Sequence, residues 1–425
     1  MSGYKALGAA AVSCVLLVSV FCLASASAPA APLERSSHRT QQTHYRHAPR
    51  AQNVNARGDA FSWKDQRQAA WDVHEQEGLD PVIYLPLVLK NHPLPPAWSG
   101  NARFGFGVDR DPVEQYNVSL LHADWYVRFG FRSDPPPLSD LEFAQTIRLC
   151  EPIEDPGVCD PFSSLPRTCT SDYSPDQASI EDYARRHPGT LWLIGNEPDA
   201  PAQDCITPGR YAELYHDLYW IIKGADASAK VAIGGEVQFT PLREEYLDAI
   251  LDAYADLYPE EGMIPVDVWN VHGFILPEEE TGVGAGIPPG GSPGLAVYPN
   301  VTDHDNMTIF RQQIRDFRQW MKDRGERNKP LVVTEYGILY DFDLGFDEPR
   351  VERFMLATFD YFLTGTSSST GYPDDGYRLV QGWCWYSLND SHFEGFETYS
   401  HLFDQDTKEI TPLGIAYGNY TASLP

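Results

Sequence analysis

After Trp98 the chain repeats one pattern, a short apolar run followed by a longer amphipathic stretch, and few folds accommodate it. Runs of four to eight apolar residues read as strands buried on both faces, and the amphipathic stretches read as helical crossovers. Strands joined by helical crossovers pair in parallel. The expected strands are Phe104 to Val108, Asp124 to Phe129, Phe143 to Leu149, Leu191 to Gly195, Lys230 to Gly234, Val266 to Val271, Leu331 to Thr334 and Leu379 to Tyr386. Helices are expected between them, among others over Pro208 to Gly224, Arg243 to Leu257, Met307 to Arg324 and Glu348 to Leu363. Eight such units predict an α/β chain closed into a (β/α)8 TIM barrel, a fold of about 250 residues with room for insertions. Two insertions follow strands, Cys150 to Asp176 after the third and the Gly- and Pro-rich Pro277 to Asn300 after the sixth. Both fall on the face where barrels place their active sites.

The chain ahead of the barrel is different in kind. Lys5 precedes an apolar run from Ala6 to Leu23 and the small residues Ala24 to Ala28, which reads as a secretory signal peptide over 1–28. An uncleaved membrane anchor is the competing reading. Residues 29–96 have little to bury at first and then carry an apolar run, Val82 to Leu89, before the Pro-rich break at His92 to Pro96; they read as a low-complexity leader and linker. The catalytic domain is expected over 97–425. Beyond the leader remain Cys150, Cys159, Cys169, Cys205 and Cys384. Export would put the first four in an oxidising compartment, where two disulfides are expected with three pairings open. A zinc site is the alternative, although their spacings lack the close pairs that tetrahedral sites use. Cys384, inside an apolar run, reads as a buried thiol.

With 60 acidic against 32 basic residues the formal charge is -28, which repels nucleic acid and anionic membranes. The charge therefore favours a neutral partner. Neither a dinucleotide or phosphate loop nor a metal-ligand motif stands out, so no cofactor is expected.

Two apolar runs end in glutamate. Leu191-Trp192-Leu193-Ile194-Gly195-Asn196-Glu197-Pro198 closes the fourth strand and Leu331-Val332-Val333-Thr334-Glu335-Tyr336-Gly337 the seventh. Strand ends of one barrel converge on a common mouth, so the two acids are expected to face each other. A glycosidic bond is cleaved by such a pair, one acid protonating the leaving oxygen while the other attacks or stabilises the oxocarbenium-like centre. Taken singly, Asn196 reads equally as a helix cap with Pro198 in the first turn, and Glu335 as a salt-bridged strand-end acid.

Across most of residues 100–425 the chain resembles clan A of the glycoside hydrolases, in which Asn-Glu ends the fourth strand and a glutamate ends the seventh. The resemblance implies that Glu197 is the general acid/base, Asn196 a donor to the sugar 2-hydroxyl and Glu335 the nucleophile. Gly-Asn-Glu-Pro-Asp is similar to the catalytic-core families that include endo-β-1,3-glucanases, which implies a β-glucan among neutral β-linked polysaccharides. By the same resemblance His272, after the sixth strand, contacts nucleophile or substrate. Arg128, or its competitor Arg132, orients the seventh-strand carboxylate, and Trp385 or Trp383 floors the sugar ring. Tyr336 and Asp109 are expected to line the cleft. The expectation is a secreted retaining glycoside hydrolase acting on a polysaccharide or oligosaccharide, against a non-catalytic carbohydrate-binding barrel or an exported transglycosylase.

Overall fold

The computed structural model describes residues 100–424 apart from 139–140, 155–157, 160–165, 280–283 and 394–395. The expected signal peptide over 1–28 and leader over 29–96 lie outside the described residues.

Eight parallel strands form the barrel: β1 (Phe104–Val108), β2 (Trp125–Arg128), β3 (Glu142–Leu149), β4 (Leu191–Ile194), β5 (Lys230–Ile233), β6 (Trp269–His272), β7 (Leu331–Tyr336) and β8 (Gly382–Trp385). Their order around the sheet runs β5, β4, β3, β2, β1, β8, β7, β6. Parallel bridges from Ala232 to Val268 and from Glu236 to Val271 join the two ends, so the ring closes. All eight expected strands are present. The boundary errors are largest at the starts of β6 and β8: β8 begins at Gly382 rather than Leu379, and β6 at Trp269, because Val266 to Val268 enter the barrel only through the single bridge at Val268.

Helices α1 (Gln177–Arg186), α2 (Pro208–Ala225), α3 (Pro241–Leu257), α4 (Met307–Asp323), α5 (Glu348–Thr364) and α6 (Pro412–Ala422) complete the described regular helices. Their starts are written in the sequence. Asp176, Thr240, Asn306, Asp347 and Thr411 each accept a backbone N–H of the first turn through the side chain, and α2, α3, α5 and α6 carry proline in that turn. Pro198 starts no helix: α2 begins at Pro208, with Thr207 at its cap.

Strand alternation sorts side chains into two layers. Trp125, Val127, Ala144, Leu193, Ala232, Val268, Val332 and Cys384 fill the barrel interior. Their neighbours Phe104, Phe106, Ile147, Trp192, Ile194, Val271, Val333, Trp383 and Trp385 pack outward under the helices. Disulfides Cys150–Cys169 and Cys159–Cys205 tie down the insertion after β3, which settles the pairing and removes the zinc alternative. Cys384 is a buried free thiol. Among the described residues, no helix is long and apolar enough to cross a membrane.

Beside β5 a buried ion cluster braces the mouth. Arg243, fully buried, donates through Nε to Asp199 at 3.0 Å, through Nη1 to Glu278 at 2.6 Å and through Nη2 to the carbonyls of Ala285 and Gly286. It thereby links the loops after β4 and β6 to the start of α3. Burial lifts Asp199 to about 6 even against that arginine. Glu236 is fully buried too, and neither of its oxygens finds a partner among the described residues.

Burial, with the nearby Asp199 charge adding, raises the Glu236 carboxyl well above its ordinary value. Unfolded, it would release its proton near pH 4.5; folded, it keeps it to higher pH. The folded state therefore binds more protons in that window, and stability falls as pH rises, by about 1.4 kcal/mol per pH unit for one group. Glu236→Gln is expected to remove this slope. Denaturation curves between pH 5 and 8 should show the variant gaining on the wild type as pH rises, and parallel profiles would refute it.

Candidate active site

Glu197 reaches the barrel mouth through a turn that ordinary backbone avoids. After β4, Gly195 has φ 90° and Glu197 itself φ 45°, both left-handed. Glycine takes the first at no steric cost, whereas the glutamate must be held in the second. The buried carboxylate of Asp204 anchors the residue just before it. Its Oδ2 accepts the amides of Asn196 at 2.8 Å and Leu149 at 2.9 Å, and its Oδ1 pairs with Arg148 Nε at 2.5 Å. Arg148 also reaches Gln203 Oε1, which accepts from Asn196 Nδ2 at 3.3 Å. The Glu197 amide donates to the Gly235 carbonyl at 3.0 Å.

Glu335 arrives by a different device. Val332 points into the barrel and Val333 out of it, so strict alternation would turn Glu335 outward. Instead the register shifts: Val271 pairs with Val333 but His272 pairs with Glu335, and β7 carries one residue more than β6. Such an irregularity re-aims a side chain. Thr334 Oγ1, donating to Asn270 Oδ1 at 2.8 Å, marks the place where the extra residue is absorbed.

His272 joins the two acids. Its Nδ1 lies 2.9 Å from Glu197 Oε1 and 3.6 Å from Glu335 Oε2, and one donor atom from each of the three lies within 4.8 Å of the others. A Cβ on Gly235 would stand 2.4 Å from His272 Cδ2, so only glycine leaves room for the ring there. The Glu335 carboxyl is pushed well above its ordinary value, first by burial and then by the charge of Glu197; Asp109 and Asp390 add to this and Arg148 opposes it. Glu335 thus keeps its proton to higher pH than an exposed glutamate would. Two carboxylates and an imidazole also make a donor set for a divalent ion. The direct His272–Glu197 hydrogen bond, however, occupies a nitrogen and an oxygen that such an ion would need.

The remaining sequence assignments fare unevenly. Asn196 lies beside Glu197 in the same turn and caps no helix. Trp385 is corrected: it is fully buried on the outer face of β8, its indole donating to the Ser400 carbonyl at 2.7 Å and meeting Tyr336 edge-on. Trp383 shares that face. Tyr336 is corrected for the same reason, being packed between Phe310, Phe362 and Trp385 with its hydroxyl at Thr358. Both expectations chose the wrong face of their strand. Arg132 pairs with Glu114, and among the described residues no hydrogen bond or ion pair joins Arg128 to Glu335.

The aromatic that does turn towards the mouth from β8 is Tyr386, two residues past the inward Cys384. Its ring lies 5.7 Å from Phe129 and 6.5 Å from Phe274, and its hydroxyl donates to Asp390 at 2.7 Å, which Arg110 also binds. Tyr386, Asp390, Arg148 and Asp204 escaped the sequence reading. Alternation from Cys384 would have found Tyr386; the others depend on loop geometry that no motif announces.

No family profile matches the chain, and no curated protein matches it. Among solved structures it is similar to a family 128 (subgroup II) endo-β-1,3-glucanase of Pseudomonas viridiflava, at 16% identity and TM-score 0.46, over 76% of this chain and 98% of that one. A subgroup I endo-β-1,3-glucanase of Amycolatopsis mediterranei in complex with laminaritriose matches at 15% and 0.44, over 75% and 99%. A glucosidase of Croceicoccus marinus matches at 14% and 0.47, over 76% and 69%. The barrel assignment rests on strand order and register, independently of these likenesses.

Removing the Asp204 carboxylate would leave two buried amides and an arginine unpaired, so Asp204→Ala is expected to cost about 3 kcal/mol. Asp204→Asn, which keeps an acceptor, should cost less. Chemical denaturation of both variants checks this, and a loss below about 0.5 kcal/mol for the alanine variant, the range of an ordinary surface change, would refute it.

Proposed function

We propose that the protein is a retaining glycoside hydrolase of a neutral β-linked polysaccharide, with Glu335 as nucleophile and Glu197 as acid/base. The observation that carries this reading is the approach of the two carboxyls at the barrel mouth, with donor atoms within 4.8 Å of each other. Double displacement uses carboxyls about 5–5.5 Å apart, whereas inversion needs roughly 6.5–9.5 Å to admit a water.

In the first step Glu335 attacks the anomeric carbon while Glu197 protonates the departing oxygen, giving a glycosyl ester on Glu335. In the second, Glu197 takes a proton from water, which attacks the same carbon and frees Glu335. Catalysis requires a proton on Glu197 and the charge on Glu335. Arg148 is the cation that favours this partition at Glu335. His272, between the two acids, orients Glu197, and Asn196 is placed beside it to meet the sugar 2-hydroxyl. Tyr386, rather than Trp385, takes the sugar-facing position. Among neutral substrates a β-glucan is favoured by the Gly-Asn-Glu-Pro-Asp motif. The two disulfides fit an oxidising compartment and the signal-like leader fits export.

Reducing-sugar release on β-1,3-, β-1,4- and mixed-linkage glucans, xylan, mannan and galactan tests the reading. One polymer should be cleaved with a bell-shaped pH dependence and with first-formed product of retained configuration by proton NMR. Glu197→Ala should lose on the order of 10²–10⁴-fold in kcat, and Glu335→Ala at least as much. EDTA should change nothing. No release from any polymer by folded protein would favour the binding-protein reading, and an inverted product would refute the nucleophile.

A further inference from the structure

The outer wall of the barrel carries a second concave surface, a groove of about 570 Å³ between α1 and α2. A half-exposed indole, Trp220, stands in it. Tyr219 meets Trp220 edge-on, with ring centroids 5.1 Å apart and planes at 87°. One helical turn on, Gly224 leaves the flank of the indole open, because a Cβ there would touch nothing within 4 Å. On the same helix Asp217 is exposed and makes no hydrogen bond or ion pair among the described residues. From α1, Gln177, Glu181 and Arg185 follow at four-residue spacing, one face of the helix, joined to one another by hydrogen bonds through Glu181.

We propose that this groove is a second carbohydrate site, taking a neutral oligosaccharide with one sugar ring against Trp220 and its hydroxyls bridged by Asp217 and the Gln177–Glu181–Arg185 row. A single aromatic plate ringed by side chains that both donate and accept is what an amphipathic sugar requires. A protein partner would call for a contiguous apolar core, and Trp220 is the only exposed large apolar side chain in the groove. An anionic ligand is disfavoured by Asp217 and Glu181 and by the overall charge of -28.

The groove runs along the wall rather than across it. Tyr173, at its upper end, pairs with Leu149 where β3 reaches the mouth, while Arg185 and Gly224 lie near the helix ends that lead to the opposite face. From Gln177 to Arg185 this spans about 12 Å. A polymer held here would keep its flank beside the mouth, so that tethering raises the local concentration of bonds to be cut. The inference rests on the carbohydrate reading of the mouth but uses none of its residues.

The test uses the full chain carrying Glu335→Gln, with and without Trp220→Ala, in native gels containing laminarin or, separately, hydroxyethylcellulose. One of these gels should retard the Glu335→Gln protein, and Trp220→Ala should weaken the retardation roughly tenfold in apparent affinity. In the otherwise wild-type chain, Trp220→Ala should slow attack on insoluble polymer while leaving kcat on short soluble oligosaccharides unchanged. Trp220-dependent retardation without hydrolysis by the wild type would keep this site and overturn the proposed activity. Hydrolysis without such retardation would do the reverse. Equal retardation with and without Trp220, or retardation by neither polymer, overturns the proposal, as does equal loss of rate on soluble and insoluble substrates.

Discussion

One buried carboxylate fixes the geometry on which the site depends. Asp204 accepts from two backbone amides at different strand ends, Leu149 closing β3 and Asn196 after β4, and its other oxygen holds Arg148. These contacts fix the segment leading into the left-handed Glu197, a conformation that costs of order 1–3 kcal/mol for a non-glycine residue. Cys205, next in the chain, is disulfide-bonded to Cys159, and Cys150, next after Leu149, to Cys169. Both covalent ties therefore sit one residue from the amides or carboxylate that shape the turn. The insertion after β3 is thus less a decoration of the mouth than the frame of its first acid.

The barrel itself was readable because its cause is repetitive. Eight apolar runs, each too short for a helix, and crossovers with capped starts leave little else to build, and the strand ends came out within a few residues. Glu197 and Glu335 were readable for the same reason, since a strand end in a barrel is a place as well as a position in sequence. What failed was side. Trp385 lies under the helices as alternation from the inward Cys384 requires, whereas Tyr336 lies there against alternation from the inward Val332. Glu335 would have failed that same check, because the irregularity between Val333 and Tyr336 inverts the parity of β7. A period of two cannot announce its own interruption, and Thr334 is ordinary as a sequence letter.

The arginine was misplaced for a related reason. The sequence points to Arg128 or Arg132 near the second strand, yet Arg132 is drawn to Glu114 and the charge that opposes protonation of Glu335 comes from Arg148 on β3. An arginine is long, and its destination is decided by which carboxylate is already desolvated and fixed. Asp204 is fully buried whereas Glu114 is exposed, so the pairs they make differ in consequence: an exposed bridge contributes little, whereas a buried carboxylate enforces a location.

That difference in consequence extends to the acids as a group. Glu335 faces Glu197, Asp109 and Asp390 across a mouth where burial already penalises charge, so the full set cannot ionise together at the cost it would have in water. Asp109 is raised for the same two reasons, burial first and Asp390 among the charges, against the opposing Arg110 and Arg128. Arg148 therefore does more than offset Asp204: its charge also favours the ionised form of Glu335. Arg110 is committed to Asp390 and Arg148 to Asp204, both at short range and both to acids that are themselves almost fully buried. The charge of Arg148 therefore acts on Glu335 from a fixed position, anchored by Asp204.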